Sequence, residues 1–189
     1  MFGGHGKRDG ARSGGRARQA AKRVYSTEER MATMERIPFF ATLPPGERRN
    51  LVAASVERVY PTGAALVWQG QRLGVGLFVV LAGRALVTQV EEGGAARELA
   101  ELGPGEMFGE MALLDEGPRS ATVMAMEPTI ALIIPIFDFR AALARNPDAT
   151  IKLLALLSHR VRDAEATRKR RGCAGRHANA PHSRNGQEG

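Results

Sequence analysis

Apolar and polar positions change their spacing twice along the chain. From Tyr25 to Arg36, a Thr27-Glu28-Glu29 start and the Met31/Met34 pair predict a short amphipathic helix. Ile37-Pro38-Phe39-Phe40 is an apolar plug. Pro44-Pro45-Gly46 opens a second helix to about Ser55, with Leu51, Val52 and Ala54 on its inner side. Between residues 56 and 135 the period shortens. Turn signals recur there at Pro61-Thr62-Gly63, Gly70 to Gly76, Gly83, Gly93-Gly94, Gly103-Pro104-Gly105, Gly117-Pro118 and Glu127-Pro128. The runs between them are β-like: Val56–Tyr60, Ala65–Gln69, Leu77–Ala82, Arg84–Val90, Ala96–Leu102, Ser120–Met126 and Thr129–Ile134. Short strands at this spacing predict an antiparallel sandwich, barrel or jelly roll. Helical spacing returns at Ile136, first to about Ala144 and then, capped by Asn146-Pro147-Asp148, to about Lys169. Ile151, Leu153, Leu154, Leu156 and Leu157 make the first half of that last helix apolar nearly all round. One side is expected to pack on the barrel and another on a second copy, giving a homodimer through the Pro147–Lys169 helix.

Charge redraws the ends. The chain of 189 residues has a net charge of +7, yet residues 1–30 alone hold eight basic and three acidic side chains, and residues 160–189 hold the same numbers. The middle is mildly acidic. Both ends are rich in Gly, Arg and Ala or Asn with few large apolar residues, and cannot bury enough surface to offset chain entropy. Residues 1–25 and 170–189 are therefore expected to be disordered basic tails around one ordered domain, 26–169, with its β-roll at about 56–135 and its C-terminal helices at about 136–169. The tails solubilise, or contact nucleic acid or an acidic partner. No apolar run has the length of a membrane span, and the N-terminus lacks the apolar segment of a secretory signal, so the expected location is cytoplasmic.

Enzyme chemistry finds little support. His5, His177 and His182 fall in the tails and His159 in the last helix; Cys173 with His177 and His182 lacks a fourth ligand and a scaffold for a metal. No nucleophile elbow, Walker loop or Rossmann fingerprint is present. No catalytic residue, metal ligand or cofactor is expected.

One segment is unusual for a β-rich domain: GEMFGEMALLDEGPRSATV, residues 105–123. Glycines reset the chain direction, and a single helical turn fits Met111–Leu114. Glu110 and Arg119 sit among small and apolar residues that turn both toward a semi-enclosed space. A lone buried charge costs several kcal/mol unless paired. Either the two pair with each other, or each awaits a ligand, an arginine beside a helix start being suited to phosphate.

FGEMALLDEGPRSATV resembles the phosphate-binding cassette of the cyclic-nucleotide-binding domain family, which includes bacterial catabolite activator proteins, protein kinase A regulatory subunits and cyclic-nucleotide-gated channels. The pattern runs Gly-Glu, an aliphatic, Ala-Leu, a spacer, then Arg-Ser-Ala-Thr. LVWQG, LFVVLAGRALV, ELGPGEMFGE and NPDATIKLLALLSHRV extend the likeness over about residues 35–165. The resemblance implies a mainly β fold: an eight-stranded antiparallel β-roll or jelly roll with N-terminal helices and a long C-terminal helix. It implies that Gly109 belongs to the binding site, that Glu110 accepts from the ribose 2′-hydroxyl, and that Arg119 meets the cyclic phosphate. Backbone N–H groups near Met111, Ala112, Ser120 and Ala121 complete the cradle. Val87, Leu99 and Leu102 fall where the family lines the purine pocket, or are ordinary core.

Departures from the family pattern set further expectations. Gly70-Gln71-Arg72-Leu73-Gly74-Val75-Gly76 carries none of the acids that relatives place there, one of which helps hold the cassette arginine. Ser120 fits either purine, and cAMP is favoured over cGMP. Ala164 and Glu165 align with adenine contacts of the activator proteins' long helix; only Glu165 has a polar group to offer. The residues after Lys169 are too few and too polar for a winged helix, so the expectation is a stand-alone sensor that signals to a separate protein effector. The alternatives are a minimal cAMP-responsive regulator using its tails on nucleic acid, a degenerate dimerisation module, and, least supported, a cyclic phosphodiesterase.

Overall fold

Two of the β-like runs, Leu77–Ala82 and Thr129–Ile134, are apolar without alternation, which requires cover on both faces. A computed structural model of the protein supplies it. It describes residues 24–72, 76–91, 93–115 and 117–174, the side chains of 113 and 163–174 excepted. The order is α1 (Thr27–Glu35), α2 (Pro38–Ala41), α3 (Pro45–Ala54), β1 (Val56–Tyr60), β2 (Ala65–Val67), β3 (Gly76–Ala82), β4 (Ala85–Val90), β5 (Ala96–Leu102), β6 (Met107–Phe108), α4 (Met111–Leu114), β7 (Thr122–Ala125), β8 (Thr129–Pro135), α5 (Ile136–Arg145) and α6 (Pro147–Ala174). The strands form two four-stranded antiparallel sheets, β1-β8-β3-β6 and β2-β7-β4-β5. The expected eight-stranded roll with flanking helices is the fold.

The inner faces meet in one core: Tyr60, Phe78, Val80, Phe108, Ala131 and Ile133 from the first sheet, Leu66, Val67, Ala85, Leu102, Val123 and Ala125 from the second. The other face of β3 and β8 is buried too, under α3 and α5. The apolar plug explains how. Ser26 caps α1 with a reciprocal capping box to Glu29, and Pro38 starts the single turn of α2. That turn buries Phe39 and Phe40 completely, and the Phe39 ring meets Phe40 at 4.8 Å and Phe139 of α5 at 5.6 Å, both edge-on. Rings so packed stabilise by about 1.5–3 kcal/mol each through burial alone.

Differences from the expected boundaries are local. β2 stops at Val67 and β7 starts at Thr122, because residues 70, 71 and 119 hydrogen-bond to one another instead of joining the sheet. β6 was not expected; its two residues pair with Phe78 and Val79 of β3, and flanking glycines hide so short a strand. α6 runs to Ala174, five residues beyond the expected end at Lys169. The described residues divide into two units, the first ending at Lys152 and the second beginning at Leu153 within α6. The second unit is helical to Ala174 and exposes Leu154 and Val161. Most of both basic ends, with His177 and His182, lies outside the described residues, as do the side chains of Ala164, Glu165 and Cys173. Among the described residues no helix is long and apolar enough to cross a membrane.

α3 and α5 are joined by a two-pronged ion pair: Arg145 Nε and Nη2 donate to the two oxygens of Glu47, each at 3.0 Å. The hydrogen bonds from Arg145 hold the Glu47 carboxyl below the usual carboxylate range. A depressed carboxylate adds stability above its unfolded pKa and loses it as pH falls through the folded value. Glu47→Gln is expected to lower the melting temperature slightly at neutral pH, with the gap closing on acidification and in high salt. Melting curves across pH and ionic strength check this.

Candidate functional site

The cassette hangs between the two sheets. Gly105, in the left-handed region at φ +86°, closes a turn in which Glu106 Oε2 accepts from Gly103 N–H at 2.7 Å. β6 then lays Phe108 on β3, and Gly109, at φ +89°, turns the chain into the one-turn helix α4. Asp115 Oδ1 accepts from Gly117 N–H at 2.9 Å and folds the return toward Arg119.

Arg119 is the centre of the arrangement. Its backbone is tied to the turn after β2: Arg119 N–H donates to the Gln71 carbonyl at 2.9 Å, and Gly70 N–H to the Arg119 carbonyl at 2.8 Å. Its side chain is 3% exposed. Nη1 donates to the Gly109 carbonyl and Nη2 to the Gly76 carbonyl, both at 2.8 Å, while the buried Nε has no hydrogen-bond partner. The guanidinium carbon stands 5.6 Å from the centre of the Phe78 ring, and Phe78 stacks on Phe108 at 4.8 Å and 15°. Burial pulls the Arg119 pKa below its ordinary value, partly countered by the Glu110 carboxylate. A guanidinium has five N–H groups, so three remain for an anion.

Glu110 is 2% exposed and immediately precedes α4. It is an electrostatic neighbour of Arg119, but the hydrogen bonds of the guanidinium go to backbone carbonyls. The two charges are therefore held near each other without Glu110 capturing the donors of Arg119. Of the other residues expected at the site, Gly109 and Ala112 are half-buried, Met111 and Ser120 exposed, and Ala121 buried. Val87 packs against the core cluster and Leu102 belongs to it. Leu99 is 42% exposed. It is the extra residue of a bulge in β5, where Val87 pairs with Ala100 and Thr88 with Glu98. Residues three apart in a regular strand face opposite ways; a one-residue bulge between them allows Leu99 and Leu102 to share a face.

Several site residues escaped the sequence reading. Nη2 of Arg119 meets the Gly76 carbonyl, an acceptor every residue carries and no sequence advertises. Phe78 read only as a strand position, and Phe108 only as part of the cassette segment. Among the described residues there is no cluster of His, Cys, Asp or Glu suited to a metal.

Comparison with known proteins agrees with this geometry. Residues 57–146 match the family model described as "Cyclic nucleotide-binding domain". The chain is 41% identical over 132 residues to the Cyclic AMP receptor protein of Thermus thermophilus, covering 70% of this chain and 61% of that protein. The crystal structure of Thermus thermophilus Catabolite Activator Protein aligns with a TM-score of 0.62 at 40% identity, covering 70% of this chain and 62% of that one. The N-terminal domain of a transcriptional regulator from Streptomyces coelicolor A3(2) aligns with a TM-score of 0.56 at 30% identity, covering 70% of this chain and 94% of that one. The chain thus spans about three-fifths of the two Thermus relatives.

Two glycines separate backbone strain from the guanidinium contact. A methyl on Gly105 meets open space, whereas one on Gly109 collides with Arg119 Nη1 at a similar φ. Gly105→Ala is expected to lose about 1 kcal/mol from its left-handed backbone. Gly109→Ala should lose about 2–3 kcal/mol as the guanidinium is displaced as well. Denaturant unfolding of both checks it; equal losses overturn the placement of Arg119.

Proposed function

The chain belongs to the cyclic nucleotide-binding domain family, and from that premise we propose that it is a cyclic-nucleotide sensor that signals by conformational change. The observation that carries the reading is Arg119: a buried cation with three donors to spare, one of them an unpartnered Nε, hydrogen-bonded to carbonyls while Glu110 offsets only part of the cost of burial. A singly charged cyclic phosphodiester supplies an anionic acceptor for those donors in a forked contact. Glu110 accepts from the ribose 2′-hydroxyl, and N–H groups near Met111-Ala112 and Ser120-Ala121 complete the cradle. Val87, Leu99 and Leu102 take the purine. The exposure of Leu99 suits a wall that a base later covers.

Cyclic AMP is the favoured ligand, in keeping with the name of the Thermus relative. Binding makes and breaks no covalent bond. The phosphate draws Arg119 away from the Gly76 or Gly109 carbonyl. Gly76 opens β3, against which α5 packs, so a shift there reaches the helices that follow the roll. A second copy docking on the apolar face of α6, where Leu154 and Val161 are exposed, makes the protein a homodimer. The effector is a separate protein; the basic ends are candidates for nucleic-acid contact.

Isothermal calorimetry with cAMP and cGMP tests the site. Arg119→Ala is expected to cost about 3–5 kcal/mol of binding, as when one member of a buried charge pair is removed. Glu110→Ala is expected to cost about 1.5–3 kcal/mol, as for one hydrogen bond to a charged group. A loss below tenfold for Arg119→Ala overturns the reading. Sedimentation equilibrium at micromolar concentration is expected to give a dimer; a monomer overturns that part alone.

A further inference from the structure

The β4–β7 ladder ends where Thr88 pairs with Thr122. Beyond it the chain carrying Arg119 and Ser120 leaves the sheet, while β4 continues to Val90. Two glutamine amides bridge the widening gap. Gln89 Nε2 donates to the Ser120 carbonyl at 3.0 Å. Gln69, from the turn after β2, uses its side-chain amide as a strand uses a peptide group: Nε2 donates to the Val90 carbonyl at 3.0 Å, and its Oε1 accepts from Val90 N–H at 2.7 Å. Its own N–H donates to Thr122 Oγ1 at 3.0 Å. The adjoining residues Gly70 and Gln71 hold the Arg119 backbone on both sides. Both glutamines are half-buried, and Gln89 lies on the same face of β4 as Ala85 and Val87.

We propose that Gln69 and Gln89 are positioning residues of the ligand site, a brace that fixes the Arg119–Ser120 arm at a set distance from the β4–β5 wall bearing Val87 and Leu99. Neither touches the ligand. Because the cyclic phosphate is fused to the ribose and only the glycosidic bond turns between phosphate and base, that distance decides whether both ends engage at once. The inference rests on the reading of the site given above. It adds that base discrimination depends on residues outside the cassette, since a loosened arm keeps the phosphate contact and loses the register of the purine.

The test uses the full chain, with Gln69→Met and Gln89→Met, which keep side-chain length and remove the hydrogen bonds. Displacement of labelled cAMP by unlabelled cAMP and cGMP gives both affinities, and ligand-free melting curves report stability. Each variant is expected to bind the preferred nucleotide about tenfold more weakly, with the ratio between the two nucleotides moving toward one and the melting temperature little changed. Should a Met variant not fold, Gln69→Glu keeps the bond from Val90 N–H, loses the one to its carbonyl, and is expected to lose about threefold. Equal weakening for both nucleotides with a lowered melting temperature overturns the brace, as does unchanged binding in variants of a wild type that binds. A wild type that binds neither nucleotide overturns the reading of the site, and the brace with it.

Discussion

A guanidinium almost wholly removed from water, hydrogen-bonded only to backbone carbonyls, is costly, and the rest of this domain is arranged around Arg119. Its compensation comes from two glycine carbonyls, the face of Phe78 and the nearby Glu110 carboxylate. Gly76, Phe78 and Phe108 lie in the sheet of β3 and β6, whereas the chain after Arg119 enters β7 of the other sheet. The side chain therefore crosses the seam of the roll. Neither sheet alone places a donor and its acceptors together, so the site forms only when the sandwich closes. The same core residues that stabilise the fold, Phe78 and Phe108 among them, form the aromatic stack against which the guanidinium lies.

Crossing the seam makes unusual demands on the backbone. Gly109 must adopt a left-handed conformation to aim its carbonyl at Nη1, and any side chain there would occupy the space of the guanidinium. Gly76 has no room for a methyl either, because the Ile134 carbonyl of the paired strand lies against it. The two acceptors are thus presented by residues that cannot carry side chains. A close approach of backbone to cation is achieved without a carboxylate.

The sequence foretold the roll, the single helical turn at Met111–Leu114 and the enclosure of both Glu110 and Arg119. Period, glycine punctuation and charge isolation are local properties that a reader can count. What it concealed is equally specific. The Gly76 carbonyl, the aromatic stack beneath Arg119 and the amide bridges of Gln69 and Gln89 arise from pairings between residues tens of positions apart. A carbonyl or a strand phenylalanine has no distinguishing mark until the register of the sheets is known. The bulge at Leu99 is a similar case. Its spacing of three from Leu102 argues against a shared face, and only an extra residue opposite Val87 and Thr88 permits it.

Neutral acceptors in place of an acid alter what a ligand can do. A carboxylate partner neutralises an arginine in the empty state, and an incoming phosphate must then displace it or share the charge. Carbonyl dipoles orient the guanidinium and the Glu110 carboxylate offsets only part of the cost of burying it, so an anion gains more on arrival than it does at an arginine hydrogen-bonded to a carboxylate. That gain bears directly on signalling, because a ligand shifts a conformational equilibrium only by its difference in affinity for the two states. If the state with Arg119 turned back to Gly76 and Gly109 binds the phosphate poorly, the difference is set by how far the guanidinium must leave those carbonyls. The absence of an acid between Gly70 and Gly76 therefore does not mark a decayed site. In the proposed mechanism the switch lies in the backbone at the start of β3, the strand on which α5 rests.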